Sequence, residues 1–247
     1  MLKKIITFFC FSIGLLVTAQ VGGEATYQFL NLVSSPRQAA LGGKVFTNID
    51  YDVTQALFNP ATINPEMDNQ FALNYTNYLG GISYGTAAYA YTVDRRTQTF
   101  HAGITYVNYG SFDGYDESGN STGTFSGNEA ALSMGYSLQI GYSDFYFGGN
   151  LKLITSKLEQ YTSLGAAVDL GLVYVNDYLD FNAALVVRNL GSQITTYAGL
   201  NEPLPFEVAF GMSQRLEKLE KINKRLLQEN ESLAKCDHCI AEAAAAQ

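Results

Sequence analysis

The sequence predicts an all-β fold, a transmembrane antiparallel outer-membrane β-barrel with about eight strands present, on three observations. The first is strand length. From Ala130 to Tyr142 the large apolar residues Leu132, Met134, Tyr136, Leu138, Ile140 and Tyr142 alternate with Ser133, Gly135, Ser137, Gln139 and Gly141. After Ser143-Asp144 the pattern resumes, with Phe145, Phe147, Leu151 and Leu153 against Asn150 and Lys152. Such sustained period-two alternation makes a strand with two unlike faces. Both strands are roughly twice the ~5–6 residues usual in soluble sheets. The second observation is composition. The chain is 47% hydrophobic and 13% aromatic but only 15% charged, with 23 glycines and no tryptophan; soluble proteins carry about 25% charge. The third is charge placement. Glu129, Lys152, Asp169, Asp180, Arg188 and Glu207 fall within strand candidates, each on the parity of the small and polar residues. A charge facing lipid at mid-depth costs about 2–4 kcal/mol, so a lipid-facing exterior and a polar lumen require this one-sidedness. A soluble sandwich would also segregate its charges; strand length, aromatic content and an export signal favour the barrel.

Residues 1–19 are expected to be a signal peptide. Met1-Leu2-Lys3-Lys4 is positive, Ile5 to Val17 is apolar, and Val17-Thr18-Ala19 offers small residues for cleavage before Gln20. The apolar run falls short of the ~20 residues of a spanning helix. No other stretch is apolar enough to span as a helix, so membrane residence must come from strands.

Residues 20–68 break the alternation. Glu24 to Leu32 has the pattern of a short amphipathic helix stopped by Ser34-Ser35-Pro36. Asp50 or Asp52 can N-cap a turn or two over Val53 to Phe58, ended by Asn59-Pro60-Ala61, because the residue before proline avoids the α region. Residues 69–213 hold strand candidates at 69–77, 82–93, 98–109, 129–142, 145–157, 163–175, 178–190 and 205–213. Asp94-Arg95-Arg96-Thr97, Ser143-Asp144 and Asn176-Asp177 read as tight turns, whereas 110–128, 158–162 and 191–204 read as longer polar loops. Outer-membrane barrels have short periplasmic turns and longer outside loops, so the tight turns are assigned to the periplasm. Residues 214–247 change character. From Arg215 onward there is no aromatic residue, glycine or proline, and Leu219, Leu226, Leu233 and Ile240 recur at heptad spacing. This predicts a charged C-terminal α-helix; Asn223 and Asn230 in the seam leave a weak coiled coil and an unpaired helix both open.

The net charge of −8 and the lack of a basic stripe argue against a nucleic-acid partner. Cys236 and Cys239 flank His238, too few ligands for a metal site, and read as a local disulfide or tail thiols. His101 has lumen parity; a serine–histidine–carboxylate site would need a serine within reach, so the reading is a histidine in a polar network. Gly114 to Asn120 has closely spaced acids without a full calcium-loop pattern and reads as an exposed loop that meets solvent or a partner. No catalytic residue, cofactor or metal is expected, and the chain is read as a non-enzyme.

Ser35-Pro36-Arg37-Gln38-Ala39-Ala40-Leu41-Gly42-Gly43, followed by Asp52-Val53-Thr54-Gln55-Ala56-Leu57-Phe58-Asn59-Pro60-Ala61, resembles the outer-membrane barrel family that includes PorV and the FadL fatty-acid transporters. Gly23 to Leu30 and Asn74 to Ile82 are similar to the PorQ branch, outer-membrane components of the type IX secretion system. The likeness covers about residues 22–213; the C-terminal tail does not fit it. The resemblance implies a barrel of more strands than those present, hence an incomplete FadL-like barrel. It implies an N-terminal plug or hatch over residues 20–68, shaped by Leu41, Gly42, Gly43, Asn59, Pro60 and Ala61; in such a barrel the strand parity turns His101, Glu129, Lys152, Asp169, Arg188 and Glu207 to the lumen. It further implies residence in bacterial outer-membrane lipid and a place in an attachment complex, holding a PorZ-like surface protein beside PorU and PorV. The alternative is a FadL-like channel for hydrophobic small molecules, weakened by lumen-parity residues that are mostly Gly, Ser, Thr, Asn and charges.

Overall fold

Alternation of this length lets each strand pair with its chain neighbour along nearly its whole course. In the computed structural model, which describes residues 25–94, 98–141, 143–214 and 224–228, eight strands form one antiparallel sheet in sequence order. They are β1 (Phe71–Asn77), β2 (Ser83–Asp94), β3 (Gln98–Tyr115), β4 (Ser121–Gln139), β5 (Phe145–Leu158), β6 (Tyr161–Asn176), β7 (Phe181–Thr195) and β8 (Glu207–Gln214). The fold is all-β with few helical turns, and β1 and β8 are not paired with each other, so the sheet is open. The expected signal peptide, the centre of the Asp94–Thr97 turn and the Cys236–Cys239 pair lie outside the described residues; of the expected C-terminal helix, 224–228 are described and are helical.

Pairing register stacks the outward side chains into rows. Leu138, Phe147, Leu172, Leu185 and Phe210 form one row across β4 to β8. Met134, Leu151, Val168 and Leu190 form another, and Leu73, Ala87, Ile104, Leu132 and Leu153 a third. The apolar rows end abruptly. The row beyond Tyr75, Tyr106 and Ala130 consists of Asn77, Ser83, Asn108, Asn128, Lys157 and Thr162, polar at every position.

Three connections differ from the sequence expectation. Residues 110–128 are not a loop: β3 and β4 continue as a hairpin projecting beyond their neighbours, turning only at 116–120. Gly110, with a positive φ of 77°, sits in a bulge between Asn108 and Ser111, beyond which the pairing resumes. Residues 158–162 reduce to a turn at 159–160, and β7 runs on to Thr195 instead of stopping at 190. Asp180 lies in the turn before β7 rather than within it, with a φ of 48°.

The segment before β1 folds onto the inward face of the sheet. Over residues 25–32 the expected amphipathic helix does not form; a 3₁₀ turn, Gln28–Asn31, follows Tyr27, whose φ of 54° is incompatible with a continuing helix. Tyr27, Phe29 and Leu30 pack with Tyr84, Val107, Ala131, Ile154 and Ala167, one residue from each of β2 to β6, so the sheet curls around the segment. Asp52 N-caps the 3₁₀ turn Val53–Leu57 as expected, its carboxylate accepting from Thr54 N at 3.0 Å. Pro36 starts a five-residue α-helix, Pro36–Ala40, capped by Ser35.

Candidate functional site

The contact between this segment and the inward face gathers most of the residues singled out by sequence. Asn59 is fully buried: its side-chain oxygen accepts from Ala61 N (3.0 Å), and Nδ2 donates to the Phe46 carbonyl (2.6 Å). Asn59-Pro60-Ala61 seats against Gly148 of β5 and Gly171 of β6, which are cross-strand partners. A Cβ on Gly148 would lie 2.3 Å from the Pro60 carbonyl group, and one on Gly171 would lie 2.2 Å from Asn59 Oδ1. The missing side chains are the socket. Leu41-Gly42-Gly43 sits elsewhere, as the end of the Pro36–Ala40 helix. Gly42 and Gly43 have φ of 96° and 118°, and Gly43 N donates to the Gln38 carbonyl (2.9 Å), closing the helix in Schellman fashion.

Beside the socket lies a buried ionic network. Lys152 on β5 is 3% exposed, Asp169 on β6 is 0% and Arg188 on β7 is 1%. Lys152 Nζ is 2.6 Å from Asp169 Oδ2 and donates to Asn189 Oδ1 at 3.0 Å. Asp169 Oδ1 accepts from Asn189 N (2.8 Å). Arg188 donates to Glu207 Oε2 (2.7 Å) and to the Leu30 carbonyl (2.9 Å), and its guanidinium stacks 4.5 Å from the Phe58 ring centre. Lys44 donates to the same Glu207 oxygen (2.7 Å) and to Asn31 Oδ1 (3.0 Å). Charges from four strands, β5 to β8, are thus closed by partners that include Lys44 and the Leu30 carbonyl from the N-terminal segment. Burying such ions is costly unless each is paired, and the pairing holds them in a single arrangement.

Arg188 and Asn189 both point inward because the chain bulges at Asn189, whose φ is 55°. Strict alternation would have turned Asn189 outward, so sequence reasoning missed it. Lys44, Phe58, Gly148 and Gly171 were missed as site residues too; glycines on the polar parity of β5 and β6 were the signal available for the last two.

Two predicted residues stand apart from the network. His101 is buried on β3, in register with Gly135, Asn150 and Asp169, and neither ring nitrogen has a hydrogen-bond partner among the described residues. No serine–histidine–carboxylate arrangement forms there. Glu129 is buried near the far end of the sheet, where it accepts a short hydrogen bond from the Tyr109 hydroxyl. Away from the sheet, Asp50 organises the N-terminal segment: its carboxylate accepts from Arg37, Asn48 (2.8 Å), Gln55 (3.1 Å) and Asp52 N (2.9 Å). Burial pushes this carboxyl up, but the Arg37 guanidinium and the Asp52 N–H outweigh it and hold it below the usual range. The same contact raises the Arg37 guanidinium. No family model, curated protein or solved structure matches the chain.

Proposed function

We propose that the chain is a non-enzymatic, membrane-spanning β-barrel component of the bacterial outer membrane. In this reading it anchors a surface partner of a type IX secretion attachment complex, in the manner of PorQ-like proteins. The carrying observation is the outward face. Ten residues separate Ile140, level with Phe145 and Tyr174, from Ala130, the last apolar row before the polar one. That is about 34 Å along a strand at ~3.4 Å per residue. Tilted by ~40°, it is about 26 Å of height, close to the ~25 Å apolar belt of outer-membrane barrels. Outward Leu151, Leu153, Val208 and Phe210 are each about half exposed or more, which a bilayer would cover. Among the described residues, the four charged side chains that are more than nine-tenths buried face the other way.

The N-terminal segment then fills the lumen as a plug, and the β3–β4 hairpin projects outside as the element available to a partner. The open β1 and β8 edges fit a barrel that needs further strands, since unpaired backbone in lipid is costly. A channel for hydrophobic molecules is the weaker reading: the apolar space between plug and sheet lined by Phe29, Leu57, Tyr84 and Lys152 is about 20 Å³, and the larger one, about 560 Å³, is lined mainly by polar residues such as Asn48, Asn64, Glu66, Asn176 and Asn182. Affinity purification from native outer membranes tests the proposal. A surface protein should be recovered with the full chain and lost when residues 111–126 are replaced by a short turn. Recovery of no surface protein with either form would refute the anchoring role.

A further inference from the structure

Beyond the anchoring role, and independent of it, the inward face holds a second site at the end away from the Asn59-Pro60-Ala61 socket. There the strands form a cavity of about 390 Å³. Tyr109, Phe112, Phe125, Leu158 and Tyr161 wall it, and Glu129 lines it too. The Phe112 and Phe125 rings stack at 5.4 Å where β3 and β4 outrun their neighbours. Gly127 allows the walls to approach: a Cβ there would lie 2.9 Å from Leu158 and 3.3 Å from Tyr109. Among the four charged side chains that are more than nine-tenths buried, Lys152 pairs with Asp169 and Arg188 with Glu207. Among the described residues Glu129, 5% exposed, accepts from the Tyr109 hydroxyl and forms no ion pair.

A buried carboxylate lacking a counter-ion, in a cavity walled by aromatic faces, matches the needs of an organic cation. The rings attract positive charge through their quadrupoles, and the carboxylate supplies the opposite charge in a desolvated setting. We propose that this cavity binds an ammonium or guanidinium group, with Glu129 as the counter-ion and Tyr109, Phe112 and Phe125 as the aromatic walls. A net charge of −8 favours the encounter.

A free small molecule and a basic side chain of a peptide both carry such a cation, and calorimetric titration of the refolded full chain separates the two sources. Choline and the peptide Gly-Arg-Gly are the probes, and 3,3-dimethylbutan-1-ol, the neutral isostere of choline, is the control. Binding of either cation, at least tenfold tighter than the isostere, is expected; whichever probe binds more tightly identifies the source. Glu129→Gln should weaken it at least tenfold. Phe112→Ala/Phe125→Ala, in the projecting hairpin where the sheet's packing is not disturbed, should weaken it several-fold and serves as the test if the Gln variant does not fold. Equal binding of choline and its isostere, undiminished binding by a folded variant of either kind, or no binding of either cation would overturn the proposal.

Discussion

Removing the Lys152 ammonium should cost far more than its single side chain suggests, because Asp169 would be left charged and buried. At an N···O distance of 2.6 Å and an effective dielectric of about 20, the Coulomb attraction is about 6 kcal/mol, most of it offset by desolvation. Breaking one side of a buried pair typically costs about 3–5 kcal/mol. Asp169 would keep its bond from Asn189 N, which puts Lys152→Met near the lower end, at about 3 kcal/mol. Asp169→Asn strands the Lys152 ammonium with Asn189 Oδ1 alone and should cost about as much. The double variant removes both charges and should lose only about 1 kcal/mol, so the coupling is about 5 kcal/mol. Urea unfolding of the refolded protein in lipid, followed by heat-modifiable gel mobility, measures the cycle. Single losses below about 1 kcal/mol, or a double variant losing the full sum, would refute the pairing as a closed buried unit.

Three further outcomes follow from the same contacts. Gly148→Ala places a Cβ 2.3 Å from the Pro60 backbone and should destabilise by about 1–3 kcal/mol, exposing residues 25–70 to protease. Its outward neighbour Gly149, where the nearest atom is 3.7 Å away, should accept alanine within about 0.5 kcal/mol; equal protease sensitivity of the two variants would contradict the socket. Asp50 is held low in the folded protein, so its contribution is present above the unfolded carboxylate pKa of about 3.9 and lost as pH falls through the folded value. Asp50→Asn should therefore cost about 1 kcal/mol at pH 6, with Arg37 partly solvent-screened, and the gap should close toward pH 2 in denaturant titrations. Leu153→Arg, at the middle of the outward band, should cost about 2–4 kcal/mol in lipid, whereas an exposed site in water would change by less than about 0.5 kcal/mol.

Parity made the sheet legible: the eight strand candidates each overlap an observed strand, and Glu129, Lys152, Asp169, Arg188 and Glu207 share the inward face. Parity fails at bulges, which carry no hydrophobic signature. The bulge near Gly110 hid the continuation of β3, and the Ser-, Thr- and Gly-rich run 121–127 has Phe125 as its one apolar side chain, although five of its residues pair with 111–115 around a second irregularity at Thr122. The bulge at Asn189 put two consecutive polar side chains inward and completed the Lys152–Asp169 cluster. Register is equally silent in one strand's sequence, so the alignment of Asn150 with Asp169, or of Gly148 with Gly171, emerges only from pairing. Lys44 and Phe58 lie in a segment without periodicity, where position is set by contact with the sheet.

The membrane-spanning reading is tested most directly by depth. Nitroxide labels placed singly at Leu132, Leu153, Asn128 and Lys157, with Cys236 and Cys239 replaced by serine, can be compared in bilayers for contact with oxygen and with a water-soluble nickel chelate. Leu132 and Leu153 should favour oxygen and Asn128 and Lys157 the chelate, with the switch falling at the polar row. Equal chelate access at all four positions would contradict a lipid-covered outward face.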